Sequence, residues 1–254
     1  MDCNFAIITH DLSKNYGNTL AVKNLNLNVS YGIIYGLLGP NGAGKTTTVK
    51  MLNSMIEPSS GNAKVMNFDI ITQKKEVKLN CGYLSESPSL YEKLTAREFL
   101  EFVGELYYIT PRMNAERISE LLVLFDLTDK ENDLIERFSR GMKQKLGLCA
   151  ALIHDPEIIF LDEPTANLDP ETSRTVKDLV LGLVKKVNKT IFICTHLLDT
   201  AEELCDKIGI INNGTLLIEG KPRDLVESVD AKDLEEAYLK LLRISRNKNV
   251  LSWR

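Results

Sequence analysis

The run Gly39-Pro40-Asn41-Gly42-Ala43-Gly44-Lys45-Thr46-Thr47 meets every position of the phosphate-binding loop pattern. Its residue types suit a polyphosphate. Glycines at 42 and 44 let the backbone curl and approach phosphate oxygens, Lys45 adds a cation for the outer phosphates, and Thr46 offers a hydroxyl to magnesium. Farther along, Asp162-Glu163 sets two carboxylates side by side. A carboxylate at a strand end can hold magnesium beside the Thr46 hydroxyl, which makes Asp162 the metal-side acid. Glu163 is then the spare group, free to orient or deprotonate an attacking water.

Such a loop works only between a strand and a helix. Residues 33–38 form an apolar strand pattern and 46–52 a helix, so the loop N–H groups and the helix N-terminus converge where a polyphosphate lies. A chance glycine-rich turn lacks that context. Residues 158–161 are four consecutive apolar side chains, the pattern of a parallel strand buried on both faces, and they deliver Asp162 and Glu163 at its C-terminal end. A second buried strand, 190–194, brings Thr195-His196 to the same edge.

The remaining pattern predicts an α/β chain with an antiparallel part and a helical part. Strands are expected at 5–9 and 22–29, the second with Leu25, Leu27 and Val29 alternating with Asn24, Asn26 and Asn28, so that one face is wet. Tyr16, in the Asn15-Tyr16-Gly17 turn between them, is a flat ring upstream of the phosphate loop. Short strands follow at 63–66 and 81–84, the latter running directly toward Glu86. Residues 95–125 turn helical, with Phe99, Phe102, Val103 and Leu106 on one face and a second start at Pro111: an inserted helical unit. Ser139 opens another helix up to His154-Asp155-Pro156, Asp169-Pro170 caps the next, and an Asn213-Gly214 hairpin closes the core. Helices near 224–227 and 233–242 finish the chain.

Composition narrows the class. At 254 residues, 44% hydrophobic and 26% charged, the chain is an ordinary globular protein of one large or two small domains. A formal net charge of −4 gives no global basic field, so no nucleic-acid partner is expected, and the basic residues Arg243, Arg246, Lys248 and Arg254 read as a solvated tail. Cys3, Cys81, Cys149, Cys194 and Cys205 form no CxxC pair and mostly sit in apolar runs, which suits reduced core residues in the cytosol. No apolar run approaches the ~18 residues of a spanning helix, and the N-terminus lacks the basic and apolar parts of a signal peptide. Any membrane role needs a partner.

Taken together, these residues resemble the nucleotide-binding domain of the ATP-binding cassette (ABC) transporter family, in its drug-exporter-like branch, over nearly the whole chain. Phe138-Ser139-Arg140-Gly141-Met142-Lys143-Gln144 is similar to the family signature usually written LSGGQ, with Arg140 and Met142 in place of a glycine and a glutamine. The resemblance implies a P-loop NTPase core with an antiparallel β subdomain and an inserted helical subdomain. One domain over 1–254 is expected, its core at about 1–86 and 155–220, its helical part at about 87–154 and C-terminal helices at about 221–254. It further implies that Tyr16 stacks on adenine, that Ser139 and Gly141 meet the γ-phosphate of a partner's ATP, and that Asn167-Leu168-Asp169 crosses a dimer interface. His196 is the expected γ-phosphate switch, and Glu86 stands where the family usually has a magnesium-sensing glutamine. ATP and magnesium are the implied cofactors. The implied partners are a second nucleotide-binding domain, the same or different, and separate transmembrane subunits, which place the chain in the cytoplasm on the inner face of a membrane. The rival expectation is a soluble ATPase of the same family acting as a mechanical clamp on a macromolecule.

Overall fold

Two strand patterns in the sequence become two sheets in the computed structural model, which describes residues 4–247 apart from 167, with side chains up to 242. Cys3, Asn167, the side chains of Arg243 and Arg246, and Lys248 and Arg254 lie outside the described residues. In chain order the elements begin with β1 (Phe5–Tyr16), β2 (Thr19–Leu25), β3 (Asn28–Ser30), β4 (Ile34–Leu38), α1 (Lys45–Leu52), β5 (Ser60–Val65), β6 (Phe68–Asp69), α2 (Lys74–Asn80) and β7 (Cys81–Leu84). Next come α3 (Ala96–Leu106), α4 (Pro111–Leu124), α5 (Arg140–Leu152), β8 (Ile158–Asp162), α6 (Pro170–Val187), β9 (Thr190–Thr195) and α7 (Leu198–Leu204). The order ends with β10 (Lys207–Asn212), β11 (Thr215–Gly220), α8 (Pro222–Ser228) and α9 (Leu234–Asn247).

The alternating strands build an antiparallel sheet in the order β2-β1-β5-β6, with β3 also paired to β1. The continuous apolar strands build the other sheet, β11-β10-β4-β9-β8-β7, parallel except for the β10–β11 hairpin. Both faces of that sheet are buried. Ile34, Ile159, Leu161, Ile191 and Ile193 pack with residues of α3 to α9, while Tyr35, Phe160, Phe192 and Cys194 pack with α1 and the antiparallel sheet. That two-sided burial is why these strands carry no polar alternation. The helical unit α3–α5 is inserted between β7 and β8, as expected.

Four details depart from the sequence expectations. The strand expected at 22–29 is two strands, with the break at 26–27: Asn24, near the end of β2, takes a left-handed φ of 45° and Asn26 Nδ2 turns to Asp11 Oδ1 at 3.0 Å, yet the Leu/Asn alternation persists across the break. Tyr16 is the last residue of β1, paired with Thr19, rather than a turn residue. On α3 the buried stripe is Ala96, Phe99, Leu100 and Gly104, leaving Phe102 and Leu106 exposed. The cause is close approach of α4: a side chain at Gly104 would collide with the Asn114 amide, so the helix turns its glycine side inward. Finally, α2, α7 and β6 carry too few buried residues, or too few residues, to announce themselves; α2 buries only Val77. Cys81, Cys149, Cys194 and Cys205 are free and buried, with burial pushing the thiols up.

A stacked histidine adds to the apolar packing that ties the helical unit to the core. The His154 ring, just after α5, stacks on Tyr107 at the end of α3 with centroids 3.7 Å apart, and its Nε2–H donates to the Cys81 carbonyl at 3.0 Å. Its Nδ1 is buried without a hydrogen-bond partner. Burial holds the imidazole neutral, with a pKa pushed down to about 4. The unfolded chain takes a proton there near pH 6.5, and the folded chain does not, so the site costs nothing above that pH and destabilises progressively as pH falls toward 4. Denaturant melts of the parent should therefore lose roughly 2–3 kcal/mol more than His154→Gln between about pH 6.5 and pH 4. Parallel pH profiles for the two forms would remove the buried neutral histidine from the account.

Candidate functional site

β4 ends at Leu38 and feeds the glycine-rich loop, whose last glycine caps α1. Gly44 has φ 107°, and a Cβ there would run into the Ala21 carbonyl oxygen, so only glycine closes this turn. The first turn of α1 has no side-chain cap and no acidic residue. Its N–H groups and dipole are left to an anion. Lys45, although charged, is buried: its Nζ donates to the Gly39 carbonyl at 2.7 Å and the Pro40 carbonyl at 3.3 Å, and lies 3.5 Å from Glu163 Oε1.

The opposite wall is the end of β8. Thr46 Oγ1 donates to Asp162 Oδ2 at 2.7 Å, joining the two residues whose oxygens suit a hard divalent cation. Burial pushes the Asp162 carboxyl up, Glu163 and Glu86 push it further, and the Thr46 hydroxyl and Lys45 oppose the rise. Glu163 begins the next turn with φ 52°, its N–H donating to the Cys194 carbonyl of β9 at 2.8 Å. Its carboxylate accepts from Thr195 Oγ1 at 3.0 Å, from the His196 backbone N–H at 3.4 Å and from His196 Nδ1 at 2.8 Å. A carboxylate held this way faces the loop with its orientation fixed.

Pro40 to Thr47, Glu86, Asp162 and Glu163 line one pocket, together with Ala21 from β2. Gly39 joins through Lys45, and His196 through Glu163. The other expected residues lie elsewhere. Tyr16 is half exposed at the end of β1, with Lys14 Nζ 5.3 Å over its ring. Ser139 caps α5 by accepting from the Met142 N–H at 3.2 Å, and Asp169 caps α6 by accepting from the Thr172 N–H at 2.9 Å. A Cβ on Gly141 would come within 3.6 Å of Thr172 Oγ1 and 3.9 Å of Asp169 Oδ2, so these two helix N-termini are neighbours. Three participants had no role in the sequence reading: Ala21, Thr195 as the clamp on Glu163, and buried Gln144, whose Nε2 donates to the Pro164 carbonyl just after Glu163. Gln144 ends the signature run, which is the one signal that could have marked it.

A family model described as ABC transporter matches residues 22–166. The bacitracin transport ATP-binding protein of Bacillus licheniformis is 43% identical over 229 residues, covering 90% of this chain and 74% of the relative. Among solved structures, an ATP-binding subunit of an ABC transporter superposes with TM-score 0.86 and 29% identity, over 93% of this chain and 99% of the other. A dimeric ATP-binding cassette in a post-hydrolysis state, bound to ADP and Pi, superposes with TM-score 0.78 and 25% identity, over 85% and 98%. The chain belongs to the ABC transporter family, of which it is a nucleotide-binding, ATP-hydrolysing subunit.

Proposed function

We propose that this ATPase drives an exporter-like transporter through separate membrane subunits, with a second cassette completing its sites. The observation that carries the proposal is the single pocket in which Lys45, Thr46, Asp162 and Glu163 meet, backed by His196. Lys45 exchanges its Gly39 and Pro40 carbonyls for the outer phosphates of ATP. Thr46 and Asp162 hold magnesium, with Glu86 at the rim; that ion, when bound, neutralises charge on the phosphates. Glu163 takes the proton of the water that attacks the γ-phosphorus as the bond to the ADP oxygen breaks, and Thr195 and His196 keep its carboxylate aimed. Tyr16 supplies the adenine platform.

Ser139, Gly141 and Asp169 act across the cassette pair. Their support is their position: the capped N-termini of α5 and α6 lie side by side, with Ser139 and Asp169 exposed and away from the Lys45 pocket. The matching dimeric cassette supports pairing. Among the described residues no helix is long and apolar enough to cross a membrane, and an exposed groove that includes Met55, Lys78, Tyr83, Val103 and Leu106 offers a surface to a membrane subunit near Glu86. A cytoplasmic place on the inner membrane face follows from that partnership, and the insertion of α3–α5 between β7 and β8 supports a division into a core at about 1–86 and 155–220, a helical part at about 87–154, and C-terminal helices from about 221. The bacitracin-transport relative is consistent with a drug-like cargo.

Lys45→Ala should abolish tight ATP binding and turnover, since it removes charge-assisted contacts worth roughly 1.5–3 kcal/mol each. Nucleotide titration checks this, and a variant that binds magnesium-ATP as tightly as the parent would mean that the loop is misassigned.

Glu163→Gln should still bind ATP but lose about 10²–10⁴ in hydrolysis rate, the usual worth of general-base assistance. The ATP-bound pair should then last long enough to separate by size. Near-parental phosphate release would remove Glu163 from the mechanism and turn attention to His196.

A further inference from the structure

The charged side chains lining the phosphate pocket are one lysine and three carboxylates, Glu86, Asp162 and Glu163. The lysine is already engaged, 3.5 Å from Glu163 Oε1 and bonded to two loop carbonyls. The α1 N-terminus contributes roughly half a positive charge, less than the formal excess of two negative charges carried by the side chains. Two of the carboxylates have clear attachments, Asp162 to Thr46 and Glu163 to Thr195 and His196. Glu86 is different. Among the described residues it makes no hydrogen bond or ion pair, and it stands exposed at the rim of the pocket. It holds nothing in place, so what it adds to the pocket is its charge.

We propose that Glu86 is a specificity residue which makes the pocket favour its nucleotide as a divalent-metal complex over the metal-free form. The inference rests on the reading of this pocket as a nucleoside triphosphate site. A free triphosphate brings about four negative charges, and its magnesium complex about two, so an added carboxylate at the rim opposes the first far more than the second. Any oxygen that Glu86 lends to the metal or its waters strengthens the complex as well. The pocket thereby discriminates between two forms of one ligand by charge rather than by shape.

The test is equilibrium titration of the whole chain with ATP at low salt, once in excess magnesium and once in excess chelator, for the parent and Glu86→Gln. The ratio of the two affinities should fall by about tenfold in Glu86→Gln, chiefly because metal-free ATP binds more tightly, and that gain should shrink as salt rises. Glu120→Gln, an exposed carboxylate on α4 outside the pocket, should leave the ratio unchanged. A ratio within twofold of the parent, or a change confined to the magnesium arm, overturns the proposal while leaving the nucleotide site intact. Metal-free binding undetectable in both forms overturns it too. A parent that binds no magnesium-ATP at all fails the underlying reading first, and the proposal with it.

Discussion

Lys45 and Glu163 are each 6% exposed and lie 3.5 Å apart, and the arrangement of this edge of the parallel sheet depends on keeping the pair buried yet usable. Taking a lone ammonium or carboxylate out of water costs several kcal/mol, so each charge needs partners that the fold itself supplies. For Lys45 these are the Gly39 and Pro40 carbonyls; for Glu163 they are the Thr195 hydroxyl and two N–H groups of His196. The pair is therefore satisfied before a ligand arrives. An incoming anion has to offer Lys45 at least as much as two carbonyls and a carboxylate, which a phosphate can do and a neutral metabolite cannot.

Register in the parallel sheet makes this possible. Leu38 of β4 sits opposite Thr195 of β9, and Asp162 of β8 opposite Cys194. The strands thus end nearly level, and Gly39, Glu163 and His196 leave the sheet as neighbours. A one-residue slip would turn Asp162 to the other face and exchange the two apolar layers, so core burial and site geometry are enforced by the same pairing. Tyr35 stacks on Phe192 in one of those layers, with centroids 5.2 Å apart, and Phe160 packs tilted against Phe192. Packing remote from the nucleotide site fixes the level at which its carboxylates emerge.

What could be read from sequence divides along the same line. Segments under one dominant constraint were legible: the glycine-rich loop, the unbroken apolar strands 158–161 and 190–194, the carboxylates at their end and the proline-led start of α4. Segments under competing constraints were not. Residues 22–29 keep their inward leucines although the strand breaks at 26–27, so alternation alone cannot show the break. The α3 stripe is rotated by a close helix contact at Gly104 with Asn114 of α4, a residue on the next helix that the periodicity of α3 alone does not contain. Likewise, nothing local in Thr195 announces that its hydroxyl will clamp Glu163, because that contact exists only once β8 and β9 pair.

The capped helices α5 and α6 show the limit of one chain. Ser139 and Asp169 each satisfy one first-turn N–H, while α5 has no acidic residue in its first turn and Ser139 is exposed. A helix N-terminus of this kind favours an anion, yet the residues that line the Lys45 pocket come from β2, the phosphate loop, the segment after β7 and the end of β8, with none from α5. The phosphate loop and the signature helix are thus two anion-favouring ends presented at different places on one surface. A second cassette in inverse orientation would set each loop against the other's signature helix, so that a nucleotide bound by one chain supplies the anion that the other lacks. On that proposed pairing the negative charge of the triphosphate would be the adhesive between cassettes, and cleavage, which splits that charge between two products, would weaken the pair at the step proposed for Glu163.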